Sequence, residues 1–418
     1  MKRSKAPVDK NSPKYKMHMA LGLMFLTVFI DLIGFGIIIP LLPLYAEKFG
    51  ADATTVGLLL MSYSLMQFFF APMWGRLSDK IGRRPVLLIS LAISAIGYSI
   101  WGAATTIEML FVSRIVAGFG NANLAVAQAY IADVTPEDYR SQGMGMIGAA
   151  FGLGFVLGPA IAGIASKFGV APNLLGYFAA FFSVVDLIFT AMMLPEPENR
   201  QKSSHNPFSL GMGFYFKTLV DKKYALNLFI FFIATFAFAN METTLVLLTS
   251  KYYGFTMEDN SWLFVGLGLV MVFVQGFLIR KIGKIYPDSL LISVGTALIA
   301  VGLVLTPLTH NLVVLCVALI ILATGSGINN PSNSSLLSKL APADETGGVM
   351  GIGQSMATLG RILGPIVGGY LFDHAGPGSP YWVGAAVMTV ACLLSFRLPR
   401  IQKVVAPAQA PSSVAVSE

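Results

Sequence analysis

Four ionisable side chains stand inside long apolar runs: Asp31, Arg114, Glu242 and Arg361. A charge in hydrocarbon is costly unless it is paired or hydrated, so each of the four marks a site. An acid held there can take up and release a proton. Burial tightens its hold on the proton and a nearby cation loosens it, so a ligand that disturbs an Asp–Arg pair changes the acid's protonation. Asp31 and Arg114 are candidates for such a pair, the alternative being a purely structural ion pair. Glu242 is a candidate second proton carrier, or a counter-ion for a cationic ligand. Arg361 can balance Glu242 or grip an anionic group with two parallel bonds. With all four ionised the charges cancel, which leaves cationic, anionic and zwitterionic ligands open. Asp186 lies in another apolar run and is expected to be structural.

Amides recur in the same runs: Gln128, Asn240, Gln275, Asn329, Asn330 and Gln354. An amide is disfavoured in an apolar medium without partners, so these are expected to face an interior cavity and bind substrate. Asn329-Asn330 precedes Pro331, which frees a backbone carbonyl within its run.

The elements that must carry these groups follow from composition. The chain has 418 residues, 55% hydrophobic and 12% charged, against about 25% charged in soluble domains. Its charges fall in clusters between twelve apolar runs of about 20 residues, the length that spans a bilayer. Such runs must be helical, because lipid offers backbone groups no partners. The expected fold is therefore an all-α membrane protein with twelve transmembrane helices. The net charge of +7 sits in loops, where topology places it, and argues for no nucleic acid. Lys and Arg gather on one side, including Arg76, Lys80, Arg83, Arg84, Arg280, Lys281 and Lys284, with Lys48, Lys167 and Lys251 on the other. That asymmetry puts both termini in the cytoplasm. The basic N-terminus precedes a run too long for a signal peptide, so the first helix is expected to be retained. Cys316 and Cys392 make neither a disulfide framework nor a metal set. No G-x-x-x-x-G-K-[ST] occurs, so ATP is not the direct energy source. No metal or other cofactor is expected, and the molecular partners are lipid, protons and a small-molecule substrate.

The chain divides into a cytoplasmic segment 1–17, a six-helix bundle 18–194, a cytoplasmic linker 195–223, a second bundle 224–398 and a disordered tail 399–418. The halves repeat. Leu157-Gly-Pro-Ala-Ile-Ala-Gly163 returns as Leu363-Gly-Pro-Ile-Val-Gly-Gly369, and at the same offset Gly145 meets Gly351 and Gly154 meets Gly360. Two pseudo-symmetric bundles with a substrate site between them are the expected result.

Three motifs carry a resemblance. Gly75-Arg-Leu-Ser-Asp79-Lys80-Ile-Gly82-Arg83-Arg84 lies between the second and third runs. It resembles, nearly residue for residue, the signature loop of the major facilitator superfamily. Gly154-x-x-x-Gly158-Pro159 resembles the fifth-helix motif of that family's proton-coupled antiporters. Arg114-x-x-x-Gly118-x-Gly120 resembles its fourth-helix motif, and Asp31-x-x-Gly34-x-Gly36-x-x-x-Pro40-x-x-Pro43-x-Tyr45 completes a likeness to the drug/proton antiporter branch, tetracycline exporters above all. The chain departs from those exporters in one respect. They carry a His in the eighth helix and an acid in the ninth, whereas the 258–281 run has no His and the ninth has Asp288 at its end only.

The resemblance implies a fold in which the first, fourth, seventh and tenth helices line a cavity. It implies gating by Gly75, Asp79, Gly82, Arg83, Arg84, Asp133, Gly154, Gly158 and Pro159, and proton coupling by Asp31, Arg114 and Glu242. The function expected is that of a monomeric, proton-coupled exporter of amphipathic molecules or drugs in a bacterial inner membrane, not an enzyme. An organic-anion or nutrient facilitator, and a sensor on the same scaffold, are the alternatives.

Overall fold

A computed structural model describes residues 13–121, 124–135, 137–197, 217–308, 310–342 and 345–399. The N-terminal segment before residue 13, most of the linker and the tail from residue 400 lie outside the described residues.

In the first half the helices are α1 Pro13–Ile38, α2 Leu42–Glu47, α3 Ala53–Ile81, α4 Arg83–Gly102, α5 Ile107–Gly120, α6 Leu124–Val134, α7 Glu137–Lys167 and α8 Pro172–Met193. The second half has α9 Ala225–Tyr253, α10 Met257–Phe273, α11 Ile279–Ile285, α12 Asp288–Leu305, α13 Leu312–Leu340, α14 Thr346–Ala375 and α15 Ser379–Ser395. Ten helical stretches among the described residues are long and apolar enough to cross a membrane, with α5–α6 and α10–α11 each counted once. Adding the shorter apolar α15 and the glycine-rich α14 gives a number of passes consistent with the twelve apolar runs.

Three runs read as single helices are interrupted. The first stops at Ile38 and resumes as α2, because Pro40 and Pro43 lack the amide protons that a continuous helix needs. The fourth breaks after Gly120. The eighth widens into one π turn over Val274–Leu278, a form that recurs at functional positions.

The halves pack alike. In the first, α1 lies on α7 and α8, and α4 on α5 and α8; in the second, α9 lies on α14 and α15, and α12 on α13 and α15. The repeated glycines explain the match. A Cβ at Gly158 would stand 2.5 Å from Gly36 backbone, and one at Gly364 2.6 Å from the Phe236 carbonyl oxygen. These helices touch backbone to backbone, as small residues allow. Gly158→Leu is expected to prevent α1–α7 packing and remove the folded species, seen as loss of the monodisperse peak in size exclusion of detergent extracts.

The bundles meet along α3–α14 and α7–α10. One end of the molecule is basic, carrying Arg76–Arg84 and Arg280–Lys284; the other is here called the far end. At the far end α3 and α14 are in contact, a Cβ at Gly57 falling 2.2 Å from the Pro365 carbonyl oxygen. Towards the basic end, Gly75 on α3 and Gly347 and Gly351 on α14 border open space. Among the described residues, α3 and α14 touch at the far end and border open space towards the basic end.

Candidate functional site

The break in the fourth pass builds the centre of the first bundle. Carbonyls around it are taken by side chains of neighbouring helices: Trp74 donates to Phe119 O at 2.7 Å, Ser90 to Gly120 O at 2.7 Å and Gln67 to Asn121 O at 3.1 Å. Buried backbone needs such partners, so the break is a built feature. It turns the Asn121 amide inward. With its nitrogen facing the acceptors, Asn121 donates to Asp31 at 2.9 and 3.3 Å and to Ser94 at 2.6 Å, while its oxygen accepts from the Tyr63 and Tyr98 hydroxyls, both at 2.9 Å. Asp31 and Asn121 are both buried.

Arg114 is 1% exposed. Its guanidinium carbon lies 5.2 Å from the centre of the Tyr63 ring and 5.4 Å from that of Trp101. Its Nε and Nη2 have no hydrogen-bond partner among the described residues. Asp31 and Arg114 are linked through Asn121 and Tyr63. Tyr63 stands between them, its ring against the guanidinium and its hydroxyl on Asn121. The cation is held by aromatic faces, worth about 2 kcal/mol when desolvated, and the acid by an amide.

From the second bundle, Arg361 approaches the same tyrosine. It lies mid-way along α14 yet is exposed, on one face with Gly347, Gly351 and Gln354. Its Nη2 donates to Thr358 at 2.9 Å. It is within electrostatic reach of Tyr63 and of half-buried Glu242 on α9. Exposed Arg361 of the second bundle thus lies near buried Tyr63 of the first.

A second cluster lies at the basic end of the first bundle. Gly82 has φ of 114°, a conformation open to glycine, and turns α3 into α4. Buried Arg83 then donates to Asp133 at 2.8 Å, Asp79 at 2.6 Å and Ser78 at 2.7 Å. Glu196 caps α4 by accepting from the Arg83 and Arg84 amides at 2.7 and 2.9 Å. Arg84 reaches the Ala191 carbonyl. Ser78 and Glu196 had no signal in spacing; Glu196 is remote in sequence and is found only once α8 returns beside α4. These bonds join residues of the first bundle to one another and to Glu196 at the start of the linker.

The family model of the Major Facilitator Superfamily matches residues 24–361 and 285–417. The chain belongs to this superfamily. It is an integral, multi-pass membrane transporter and not an enzyme. It is 30% identical over 375 residues to the class D tetracycline resistance protein of Salmonella ordonez, covering 87% of this chain and 94% of that protein. It is 27% identical to multidrug resistance protein 1 of Bacillus subtilis (strain 168), covering 91% and 96%. Among solved structures, that of the human organic anion transporter MFSD10 superposes with a TM-score of 0.71 at 26% identity, covering 91% of this chain and 99% of that one.

Within this superfamily fold the amides divide. Asn240 is buried between α9, α14 and α15, donating to Pro380 O at 3.0 Å, because Gly364 and Gly368 bring α14 against it. Asn329 is fully buried, donates towards Ile292 O at 3.4 Å and accepts from Asn333 at 2.6 Å. Neither lines the open space as expected; both tie helices together. Gln128, Gln275 and Asn330 are half-buried, and Gln354 is exposed beside Arg361. Fully buried Asp186 accepts from Thr190 at 3.3 Å, and its other carboxylate oxygen has no hydrogen-bond partner among the described residues. The aromatic groups at the centre, Tyr63, Tyr98 and Trp101, were lost among many apolar-run aromatics in the sequence.

Proposed function

We propose that the chain is a proton-coupled antiporter that exports small amphipathic molecules by alternating access. It works as a monomer in a bacterial inner membrane with both termini in the cytoplasm, so that the open basic end faces the cell interior. The observation that carries the reading is the link from Asp31 through Asn121 to Tyr63, whose ring packs on Arg114 and whose surroundings include Arg361 of the other bundle. A protonatable acid is thereby joined to the wall that a substrate touches. A substrate that displaces Tyr63 changes the bonds holding Asp31, and through them the acid's affinity for a proton. The names of the tetracycline and multidrug resistance relatives support export of drug-like compounds.

Purified protein in liposomes with an imposed pH gradient and an internal pH-sensitive dye tests this. Addition of cationic, neutral and anionic amphipathic compounds in turn is expected to drive proton movement with at least one class. Substrate movement without any proton flux would sink the antiport reading and leave a facilitator.

A second reading concerns substrate charge. The Arg361 guanidinium is exposed, with Thr358 as a hydrogen-bond partner, and the similar human protein MFSD10 is an organic anion transporter. An anionic group can be gripped there by two parallel bonds. Arg361→Ala is expected to cut transport of acidic compounds about ten-fold or more, the scale of one lost charged hydrogen bond, and to spare neutral ones. An unchanged profile across the same panel removes Arg361 from the site.

A further inference from the structure

Asp373 lies in the last turn of α14, where its own helix dipole disfavours a carboxylate. It points instead at the start of α3, in the other bundle. One carboxylate oxygen accepts from the Ala53 amide at 3.1 Å; the other accepts from the Thr54 amide at 2.7 Å and the Thr54 hydroxyl at 2.6 Å. The next amide, Thr55, goes to Asp52 at 2.8 Å. Of the first three amides of α3, two are therefore satisfied from across the interface. The backbones meet at the same place: a Cβ at Gly369 would fall 2.1 Å from the Ala53 carbonyl oxygen. The internal repeat pairs Gly369 with Gly163, and so sets Lys167 opposite Asp373; the other bundle contact, α7–α10, carries a cation where this one carries an acceptor.

We propose that Asp373 is a positioning residue of the transport cycle, a latch that holds the far mouth shut by capping α3 from the opposite bundle. The inference rests on the alternating-access reading. The latch fits the shut far end only. When the bundles part there, the Ala53 and Thr54 amides and the Asp373 carboxylate all pass to water, so the bonds are exchanged and not orphaned. Charge-assisted bonds are the stronger kind, and losing them shifts the balance between the two states without touching the site around Asp31.

The test uses the full chain in lipid nanodiscs, with Cys316 and Cys392 replaced by serine. Cysteines for spin labels are placed at Phe168 and Val313, 79% and 69% exposed, at the far end of each bundle and outside the latch. Distance distributions by electron paramagnetic resonance report the fraction open at the far end. Asp373→Ala is expected to raise the open-to-shut ratio about ten-fold. Asp373→Asn, which keeps one acceptor oxygen, should raise it less. Thr54→Val should act partly, and add little to Asp373→Ala. Thermal unfolding of each variant in nanodiscs shows whether it is folded. A folded Asp373→Ala protein with the parental distribution overturns the latch, provided that the parent's distances respond to pH between 5 and 8. A parent whose distances respond to neither pH nor the compound panel overturns the latch and alternating access together.

Discussion

Asp31→Asn is expected to abolish substrate-driven proton flux while leaving a folded protein that still binds the transported compound. The asparagine is isosteric with the acid and can still bond the Asn121 amide through its oxygen, so the bonds from Asn121 to Ser94, Tyr63 and Tyr98 survive. What would be lost is the group proposed to carry the proton. Flux in the dye-loaded liposomes is expected to fall to the protein-free background, with binding of the same compound, by isothermal titration, within a few-fold of the parent. Glu242→Gln is the control. Glu242 lies near Arg361 and outside the Asn121 network, so this variant should keep its proton flux. Flux that survives in Asp31→Asn and vanishes in Glu242→Gln would move the coupling acid into the second bundle.

The second large effect is on folding. Arg83→Ala is expected to destabilise the basic end of the first bundle by about 3–5 kcal/mol, the cost of leaving one member of a buried pair alone. The side chains of Arg83 and Asp133 are 6% and 5% exposed, so removing the guanidinium leaves the Asp133 carboxylate without its counter-charge. Asp79 differs. Its side chain is 34% exposed, and with Asp79→Asn the arginine still holds Asp133. That variant should fold and insert normally but cycle more slowly, because the resemblance makes this loop part of the gate. Thermal unfolding of the two purified variants, alongside liposome transport, separates these outcomes. Equal stability for Arg83→Ala and the parent would show that Asp133 finds water or another partner.

Much of this protein is legible in its sequence. Apolar runs of bilayer length specify helices, because unpaired backbone cannot lie in lipid. The signature loop around Asp79 and Arg83 named the superfamily, since its glycines and charges lie close in sequence and act locally. The repeated Gly154–Gly163 and Gly360–Gly369 stretches revealed the internal duplication, and a small side chain every fourth residue makes a face that packs closely.

What sequence could not decide was which polar group meets which. Asp31 and Arg114 look like direct partners on charge alone, yet the structure sets the Asn121 amide on Asp31 and the Tyr63 ring on Arg114. Asn240 and Asn329 look like cavity amides, yet close helix approach buries them against Pro380 and Ile292 carbonyls. Asp373 carries no signal in the sequence, and its role emerges only when α3 of the other bundle is placed beside it. A span's length and a helix face are local properties, fixed by residue order. Partnership between side chains hundreds of residues apart depends on how helices break, tilt and close on one another, and only the packed structure sets that.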